Sequence, residues 1–308
     1  MGFGNIAAAR NVQSQSNSNK KQRKIPIYQH EVWSMIPGET LIVRFVGGSS
    51  EPHIFHQHGF ARHPHRGYEK GICAKPSECA LCAASSMPGE KRVKRASPYA
   101  AFTVYSTRKM LLTPVQRDDG TVVNRREPVR TDAVGEFITK CKQTGNTVIC
   151  SDPMLAVGGD TSRFEDEGLK VWCGSLHPKA ANADQLLALD MQLQKVCQCG
   201  QKVGNGLGAR PAEVIEENGE LKCTANCGNP RRGSLTSCYV QITRRGQGTD
   251  TTYSFTPLPF SEPNPEHTLS SLPLSEIYKP DIESNLEALE ARGIRLPGDN
   301  SSSEDIWA

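Results

Sequence analysis

The chain has 308 residues with a formal net charge of +3, and 37% of its residues are hydrophobic. Its length allows one large or two small domains, and its 27 glycines and 20 prolines favour a loop-rich, mainly β protein over a helical bundle. No segment approaches the about 20 apolar residues of a membrane span, and no signal-peptide pattern accompanies the eleven cysteines. We therefore expect a cytoplasmic protein, in which cysteines bind metal more readily than they form disulfides.

Positive and negative charges are segregated along the chain. Residues 20–130 contain 19 Lys and Arg against 9 Asp and Glu, whereas residues 261–308 contain 3 against 10. A basic body followed by an acidic tail is typical of proteins that bind polyanions, although charge runs also occur on ordinary solvated surfaces. We favour the first interpretation because the two signs separate so cleanly.

The predicted elements begin with a flexible arm at residues 1–24, which is rich in Ser, Asn and Gln and ends in the cationic sequence NKKQRK. Short runs of β-branched and aromatic residues, each bounded by Gly, Pro or charge, then predict six strands. They cover residues 38–48, 52–60, 98–108, 169–176, 237–245 and 251–258. Gly246 and Gly248 in RRGQGTDT predict a hairpin turn between the last two strands.

Three segments have the apolar spacing or the end signals of helices. They are residues 131–145, residues 182–196, and residues 284–293, the last as an isolated, loosely packed or mobile helix in the tail. Short strands interrupted by cysteine-bearing loops predict a mainly β fold with minor α content, an OB-type barrel elaborated by insertions. Its core spans residues 25–260, with a zinc loop at 53–90 and a zinc-ribbon insertion at 195–238, and an acidic, disordered tail follows at 261–308.

The first candidate metal site lies between residues 53 and 82, where five histidines accompany Cys73, Cys79 and Cys82. A C-x2-C turn brings two thiolates to the separation that tetrahedral zinc requires, and the third cysteine lies nearby. We choose His58 as the fourth ligand because it ends a predicted strand before the cysteine loop, with His56 as the alternative. No HExxH motif is present to activate a water molecule, so we expect a structural zinc ion.

Two further cysteine pairs predict a second zinc site. Cys197 and Cys199 form C-x-C-G, and Cys223 and Cys227 form C-x3-C-G, so each pair is followed by a glycine that lets the chain fold back towards the thiolates. Cys238 in a predicted strand is an alternative ligand, although a buried thiol is its expected role. We interpret the other cysteines as core or surface thiols: Cys141, Cys150 and Cys173.

Basic and aromatic residues follow the first cysteine group. KRVKR at residues 91–95 precedes the predicted strand PYAAFTVYSTRK, in which alternation separates Tyr99 and Tyr105 from Phe102 and Val104. Exposed tyrosines between cations suit base stacking beside phosphates, although either ring could instead cover the barrel. The predicted nucleic-acid contacts are Arg44, Lys91, Arg92, Lys94, Arg95, Tyr99, Tyr105, Arg108, Lys109, Arg244, Arg245 and Tyr253.

The order of these parts resembles the zinc-containing single-stranded DNA-binding proteins of tailed bacteriophages, of which the T-even replication protein is the type. A basic arm (NKKQRK) comes first, His58 and the three following cysteines come next, KRVKRASPYAAFTVY follows, and an acidic tail ends the chain. The resemblance covers residues 20–110. In the tail it extends only to the acidic character. It implies a protein that coats and protects single-stranded DNA in phage replication, recombination and repair, in the cytoplasm of an infected bacterium.

The last residues, SSSEDIWA, place two acidic residues directly before two apolar ones. This end resembles the acidic tip with a terminal hydrophobic pair by which bacterial single-strand binders recruit replication and repair enzymes. It therefore predicts a docking site for replication and recombination proteins, with a frayed end of no function as the alternative. The N-terminal arm is a candidate for self-association. The docking residues are Glu304, Asp305, Ile306 and Trp307.

Two other classes of function fit parts of the sequence. A zinc-ribbon transcription accessory protein that binds RNA polymerase would depend on that partner and bind bare single strands weakly. An enzyme such as a primase or nuclease would need clustered carboxylates for metal ions, whereas the acidic pairs here lie in polar, turn-like stretches. We therefore predict a single-strand binder that is not an enzyme.

Overall fold

The computed structural model describes residues 30–47, 52–60, 70–74, 77–140, 147–149, 163–176, 182–247, 250–260 and 271–296. Strands dominate this part of the chain and helices are few and short, which confirms the predicted mainly β fold with minor α content. The predicted arm at residues 1–24 and the docking residues 304–307 lie outside the described residues. Within them, no helix is long and apolar enough to cross a membrane.

All six predicted strands and two of the three predicted helices have counterparts among the described elements. The strands are β1 (Thr40–Phe45), β2 (His53–Gly59), β3 (Lys70–Ile72), β4 (Ser97–Gln116), β5 (Val122–Pro128), β6 (Ile138–Lys140), β7 (Thr147–Ile149), β8 (Phe164–Ser175), β9 (Lys202–Val203), β10 (Arg210–Pro211), β11 (Val214–Glu217), β12 (Glu220–Cys223), β13 (Tyr239–Arg245) and β14 (Thr252–Pro257). The helices are α1 (Ala80–Ser85), α2 (Asn182–Leu193), α3 (Leu274–Ile277) and α4 (Ile282–Glu290).

The described chain divides into two compact units. The small unit consists of residues 54–99 and 275–296, and the sheet unit consists of residues 30–53 and 100–274, each within the described ranges. Each unit contains one of the two cysteine groups that the sequence predicts as metal sites.

The sheet unit is built around antiparallel strands in the order β14-β13-β1-β4. Residues of β1 alternate, so that Leu41, Val43 and Phe45 are buried, and Val43 lies opposite Val240 of β13 and Ser106 of β4. β5 and β8 also pair with β4. Among the described strands β14 pairs only with β13, so the sheet is open and the closed barrel that we predicted is not formed by these residues.

Helix α2 contributes to the hydrophobic core of the sheet unit. Ala183, Leu186 and Leu193 recur at helical spacing and are buried in the same cluster as the central strands. Asp190 lies on that face as well, and its carboxylate accepts a hydrogen bond from the N–H of Leu235 at 2.8 Å. This helix confirms the prediction for residues 182–196.

The helix predicted for residues 131–145 is wrong over its described part, residues 131–140. The Asp132 carboxylate accepts hydrogen bonds from the N–H groups of Val134 and Glu136, each at 2.9 Å, and Gly135 has a φ of 88°. These bonds close a turn where the first helical turn was expected, because an Asp side chain competes well for nearby backbone donors. The chain then continues into β6, which pairs with β7.

The small unit packs the β2–β3 pair against α1 and α4. Leu81 of α1 and Leu289 of α4 are buried in one cluster with Phe60. The side-chain amide of Asn285 in α4 donates to the carbonyl of Ile72 at 3.0 Å. The expectation of an isolated, loosely packed helix in the tail is therefore wrong, because this helix completes the core of the small unit.

Four charged residues form a buried charge cluster in the sheet unit. Arg108 pairs with Glu39 at 2.7 Å and with Glu167 at 2.9 Å, and all three side chains are at most 3% exposed. Arg130 pairs with the second oxygen of Glu39, and the Ser106 hydroxyl donates to Glu167 at 2.7 Å. Buried charges are tolerated only when they are paired and hydrogen-bonded, so the cluster fixes segments that are far apart in the sequence.

We expect Glu167→Gln to lower the free energy of unfolding by about 3–5 kcal/mol, because it leaves the buried Arg108 guanidinium without one of its two carboxylates. Glu165→Gln is the matched control, since the Glu165 side chain is 44% exposed in its pair with Arg126. Such an exposed pair contributes about 1 kcal/mol or less. Urea unfolding followed by circular dichroism measures both variants. Equal losses would contradict a structural role for the charge cluster.

Candidate metal centres and nucleic-acid interface

The small unit brings together the four ligands predicted for the first metal site. His58 lies near the end of β2, which pairs with β3, and Cys73 directly follows β3. The N–H of Cys73 donates to the carbonyl of His56 at 2.8 Å, which fixes the cysteine against β2. Cys79 immediately precedes α1 and Cys82 lies within it, so the first helical turn positions both thiols.

The ligand atoms of this first group are spaced as a tetrahedral metal site requires. His58 Nε2 lies 3.7 Å from Cys79 Sγ and 3.4 Å from Cys82 Sγ, and Cys73 Sγ lies 3.4 Å from Cys82 Sγ. All four ligand atoms lie within 4.8 Å of one another. Donors about 2.3 Å from a central ion, the length of a zinc–thiolate bond, are about 3.8 Å apart in a tetrahedron. The group could therefore hold a metal ion, and it contains His58 rather than the alternative, His56.

The hydrogen bonding of His58 suits a metal ligand. Its Nδ1 is 2.9 Å from the carbonyl oxygen of Lys94, and a carbonyl only accepts hydrogen bonds, so Nδ1 carries a proton. The other nitrogen, Nε2, faces the thiols and can offer its lone pair. A hydrogen bond from the second ring nitrogen fixes both the tautomer and the ring orientation of metal-bound histidines.

The thiols of the first group differ in acidity when no ion is bound. Burial opposes ionisation of Cys79, but a hydrogen bond with the His58 side chain and hydrogen bonds from backbone N–H groups outweigh it and lower the pKa of Cys79 to about 6. Burial raises the pKa of Cys73 and of Cys82, and the nearby charge of Cys79 raises both further. One thiolate thus forms readily, whereas ionising all three requires a cation between them.

The second cysteine group lies in a four-cysteine module, residues 195–233, within the sheet unit. Cys197 and Cys199 precede β9, and Cys223 ends β12. The Sγ atoms of Cys197 and Cys227 are 3.6 Å apart, those of Cys199 and Cys223 are 3.8 Å apart, and all four lie within 4.8 Å of one another. These distances match the edges of the same tetrahedron, so this group too could hold a metal ion.

The other cysteines belong to neither group where they are described. Cys238, our alternative ligand, is buried, and burial raises the pKa of its thiol to about 11. Cys173 is half-buried in β8. The two remaining cysteines, Cys141 and Cys150, lie outside the described residues.

Backbone N–H groups approach the thiols of the second group, and the turns of its two cysteine pairs differ. The N–H of Ala225 donates to Cys223 Sγ at 3.4 Å. Burial opposes ionisation of Cys223, yet N–H donors from Cys227 and Ala225 lower the pKa of Cys223 to about 7. After the first pair Gly200 has a φ of 69°, whereas in the second pair the left-handed residue is Asn226, with a φ of 53°. The predicted glycine turn is therefore present in the first pair, and an asparagine provides it in the second.

The basic segment, residues 91–95, is fixed to the strand that carries His58. Val93 is 3% exposed and forms a β-bridge with Phe60, and the N–H of Lys94 donates to the carbonyl of Gly59 at 2.8 Å. Since the Lys94 carbonyl accepts from His58, this residue is held through both of its backbone polar groups. Four cationic side chains flank Val93 and are exposed: Lys91, Arg92, Lys94 and Arg95.

Three of the predicted nucleic-acid contacts are buried, so the exposure that we expected for them is wrong. Arg44 and Tyr105 are cross-strand partners on one sheet face, but they are only 4% and 8% exposed. Arg44 donates to the carbonyl of Thr236 at 2.8 Å and lies 5.2 Å from the centre of the Tyr239 ring. Arg108 belongs to the buried charge cluster. Alternation assigns a side chain to a face but does not show what covers that face.

The remaining predicted contacts are divided between surface and packed positions. Lys109 and Arg245 are exposed, and Lys109 is paired with a carboxylate 2.5 Å away. Tyr99 is half-buried, with its ring 6.0 Å from a buried phenyl ring. On the β13–β14 hairpin, Tyr253 packs against the hydrophobic core and Arg244 donates to a backbone carbonyl before β1. Of the predicted cations, the exposed ones are therefore concentrated in the basic segment.

Sequence reasoning missed two features of these sites. The first is the hydrogen bond between His58 and the carbonyl of Lys94, 36 residues later in the chain. No residue type in the sequence indicates this bond, because every residue has a backbone carbonyl. Trp33 is 45% exposed, and its signal in the sequence is an aromatic residue that stands before the first predicted strand.

Comparison with protein-family models, with curated proteins and with solved structures finds no match. The features of this chain that bear on its function are therefore the two cysteine groups, the basic segment and the surfaces around them.

We expect two metal ions per chain in protein purified under reducing conditions, because each four-ligand group is complete. Cys82→Ser should reduce the content to about one ion, since it removes one ligand of the first group only. Cys173→Ser is the control and should retain both ions, because Cys173 belongs to neither group. Elemental analysis by mass spectrometry measures the content. Metal-free protein from such a preparation would contradict the assignment of both groups.

Metal affinity of the first group should fall as the pH is lowered. The pKa of Cys73 and of Cys82 is raised and that of Cys79 is about 6, so near neutral pH binding displaces the protons of the first two thiols. Two displaced protons correspond to about a hundredfold weaker apparent affinity for each unit of pH decrease. Competition with a chelating indicator measures this in a variant with Cys199→Ser and Cys227→Ser, which isolates the first group. An affinity that does not change between pH 8 and pH 7 would show that these thiols are already ionised.

Proposed function

We propose that the protein binds single-stranded DNA, coating and protecting it during replication, recombination and repair, with a structural zinc ion in each four-ligand group. The observation that carries this proposal is the 2.9 Å hydrogen bond between His58 Nδ1 and the carbonyl of Lys94. It joins a metal ligand to the middle of the exposed basic segment. Metal binding would thus hold the cations that meet the phosphates.

Zinc suits both sets of donors. Three thiolates with one imidazole, and four thiolates, are ligand sets of structural zinc sites, and the spacing of the donors fits tetrahedral coordination. With four protein ligands no coordination position remains for a reactive water molecule, which supports a structural role. Such an ion would stabilise the four-cysteine module, where Ala212 and Val214 are the only buried apolar residues that accompany the cysteines in the described cluster.

The basic segment presents its charges on a fixed backbone. Lys94 is held through its N–H and its carbonyl, and Val93 is anchored in the core of the small unit. The backbone between the cationic side chains is therefore already ordered before phosphates bind, which lowers the entropic cost of binding. Each phosphate neutralised releases counterions, which is the main source of affinity for a polyanion.

A half-buried tyrosine beside the basic segment supports single strands over duplexes. Tyr99 follows Arg95 by four residues, and its ring is held against the buried ring of Phe55. Phe55 in turn stacks on Tyr278, with their ring centres 4.2 Å apart. An aromatic ring fixed in this way can stack on an unpaired base, whereas the bases of a duplex are already stacked on each other.

Features outside the described residues belong to the same proposal. The cationic arm at residues 1–24 would serve self-association, and Ile306 and Trp307 with the acidic residues before them would recruit replication and recombination proteins. An OB-type relationship of the sheet unit and a role in the cytoplasm of a phage-infected bacterium follow from the resemblance described above. We propose a binding role without catalysis.

A zinc-ribbon transcription accessory protein is the second candidate, and the surface of the four-cysteine module favours it. Val203, Ile215 and Leu221 are 38–40% exposed on the hairpins of this module. Apolar side chains on a small metal-bound module suit contact with a protein such as RNA polymerase. This candidate predicts retention on that partner and weak binding to bare single strands.

Replacing Lys91, Lys94 and Arg95 together by glutamine should weaken binding to all single-stranded sequences alike. It should also reduce the salt slope, which is the steepness with which the logarithm of the binding constant falls with the logarithm of the salt concentration. Each phosphate contact contributes about 0.7 to that slope on single strands, so removing three cations should lower the magnitude of the slope by about 2. Fluorescence anisotropy with oligo-dT at several salt concentrations measures the slope.

The matched control for this experiment replaces three exposed cations of the four-cysteine module, Lys195, Lys202 and Arg210, by glutamine. It should leave the affinity and the slope nearly unchanged. An unchanged slope in the first variant would remove the basic segment from the interface, and equal affinity of the unmodified protein for duplex and single strand would overturn the proposed function.

A further inference from the structure

An indole is displayed on a loop that buried charges hold in place. Trp33 is 45% exposed, although its own backbone N–H donates to Glu167 of the buried charge cluster. Three residues later, the N–H of Ile36 donates to Glu39 at 2.8 Å. Both ends of this short loop, residues 33–36, are thus bound to carboxylates that are almost fully buried.

The carbonyl groups of the same loop are satisfied by three different guanidinium groups. Arg108 donates to the carbonyl of Trp33 at 2.7 Å, and Arg130 donates to the carbonyl of Ser34 at 2.7 Å. Arg244 donates to the carbonyl of Met35. Hydrogen bonds from charged donors are roughly twice as strong as neutral ones, so consecutive peptide groups are fixed by strong bonds.

The loop places a large ring in solvent on a backbone that is already ordered. Met35 is 5% exposed and anchors the loop in the core, while the larger apolar side chain of Trp33 is left outside. A ring on a fixed backbone has few degrees of freedom to lose on binding, which is why tryptophan dominates many recognition surfaces.

The surroundings of the ring favour a nucleobase over a protein surface. Within residues 30–38 the only other exposed residues are Ser34 and Gly38, so no apolar patch extends from the indole along this segment. A protein interface needs several hundred square ångströms of surface, whereas a base needs one ring face. The charged side chains that hydrogen-bond to the loop backbone are three arginines and two glutamates, whose formal charges sum to +1.

We propose that Trp33 is a stacking platform for a base of the bound single strand. This inference rests on the proposed function and assigns a base contact to the sheet unit. The ring would contribute affinity that does not depend on salt, because stacking releases no counterions.

The test uses tryptophan fluorescence in a Trp307→Phe background, which leaves Trp33 and Trp172. Trp172 is 4% exposed, and its contribution is measured separately in the variant that also carries Trp33→Phe. Addition of oligo-dT should quench the Trp33 emission and protect it from acrylamide. Trp33→Ala should weaken binding about five- to hundredfold with an unchanged salt slope, and Trp33→Phe should restore part of the affinity.

The outcomes separate this inference from the proposed function. Normal urea unfolding of Trp33→Ala shows that lost affinity does not come from lost folding. Three results together would contradict stacking on Trp33 and leave the proposed function intact. Oligo-dT would bind Trp33→Ala with undiminished affinity, it would leave the Trp33 emission of the background protein unchanged, and the variant of the basic segment would bind weakly. Absence of single-strand binding by the background protein overturns both.

Discussion

The close spacing of the thiols within each cysteine group is the interaction on which both candidate metal centres depend. Sulfur atoms 3.4–3.8 Å apart repel one another once they are ionised, by about 4.5–5 kcal/mol for a pair at an effective dielectric constant near 20. A central cation would replace that repulsion by attraction to a shared ion. The loops around each group have small apolar clusters of their own, so such an ion would do what a larger hydrophobic core does in other proteins.

Polar interactions fix the exposed residues of both units. In the small unit, the bond from His58 to the Lys94 carbonyl orders the backbone of the basic segment. In the sheet unit, the buried charge cluster orders the loop that displays Trp33. In both arrangements an internal hydrogen-bonded polar group lies behind an exposed side chain. This gives the surface a defined geometry in a chain with only 37% hydrophobic residues.

Local patterns predicted those elements whose preferences are not opposed by nearby side chains. The strands around Val43 and Val240 follow from alternation, and α2 follows from its apolar spacing. The helix predicted from residue 131 failed because the Asp132 carboxylate took the backbone donors that a helix would have used. Helix α4 was assigned to a loose tail because its partner, the cluster around Leu81, lies about 200 positions earlier in the chain.

The sequence by itself determined which residues could ligate metal, because short cysteine spacings bring thiols together within a single turn of chain. It also determined the polarity of each sheet face, since alternation in a strand is a local property. Only the tertiary structure decided that His58 rather than His56 joins the thiols, and that Arg44, Tyr105 and Arg108 are covered. Exposure and hydrogen-bond partners depend on segments that meet from distant parts of the chain, and no local pattern records which segments those are.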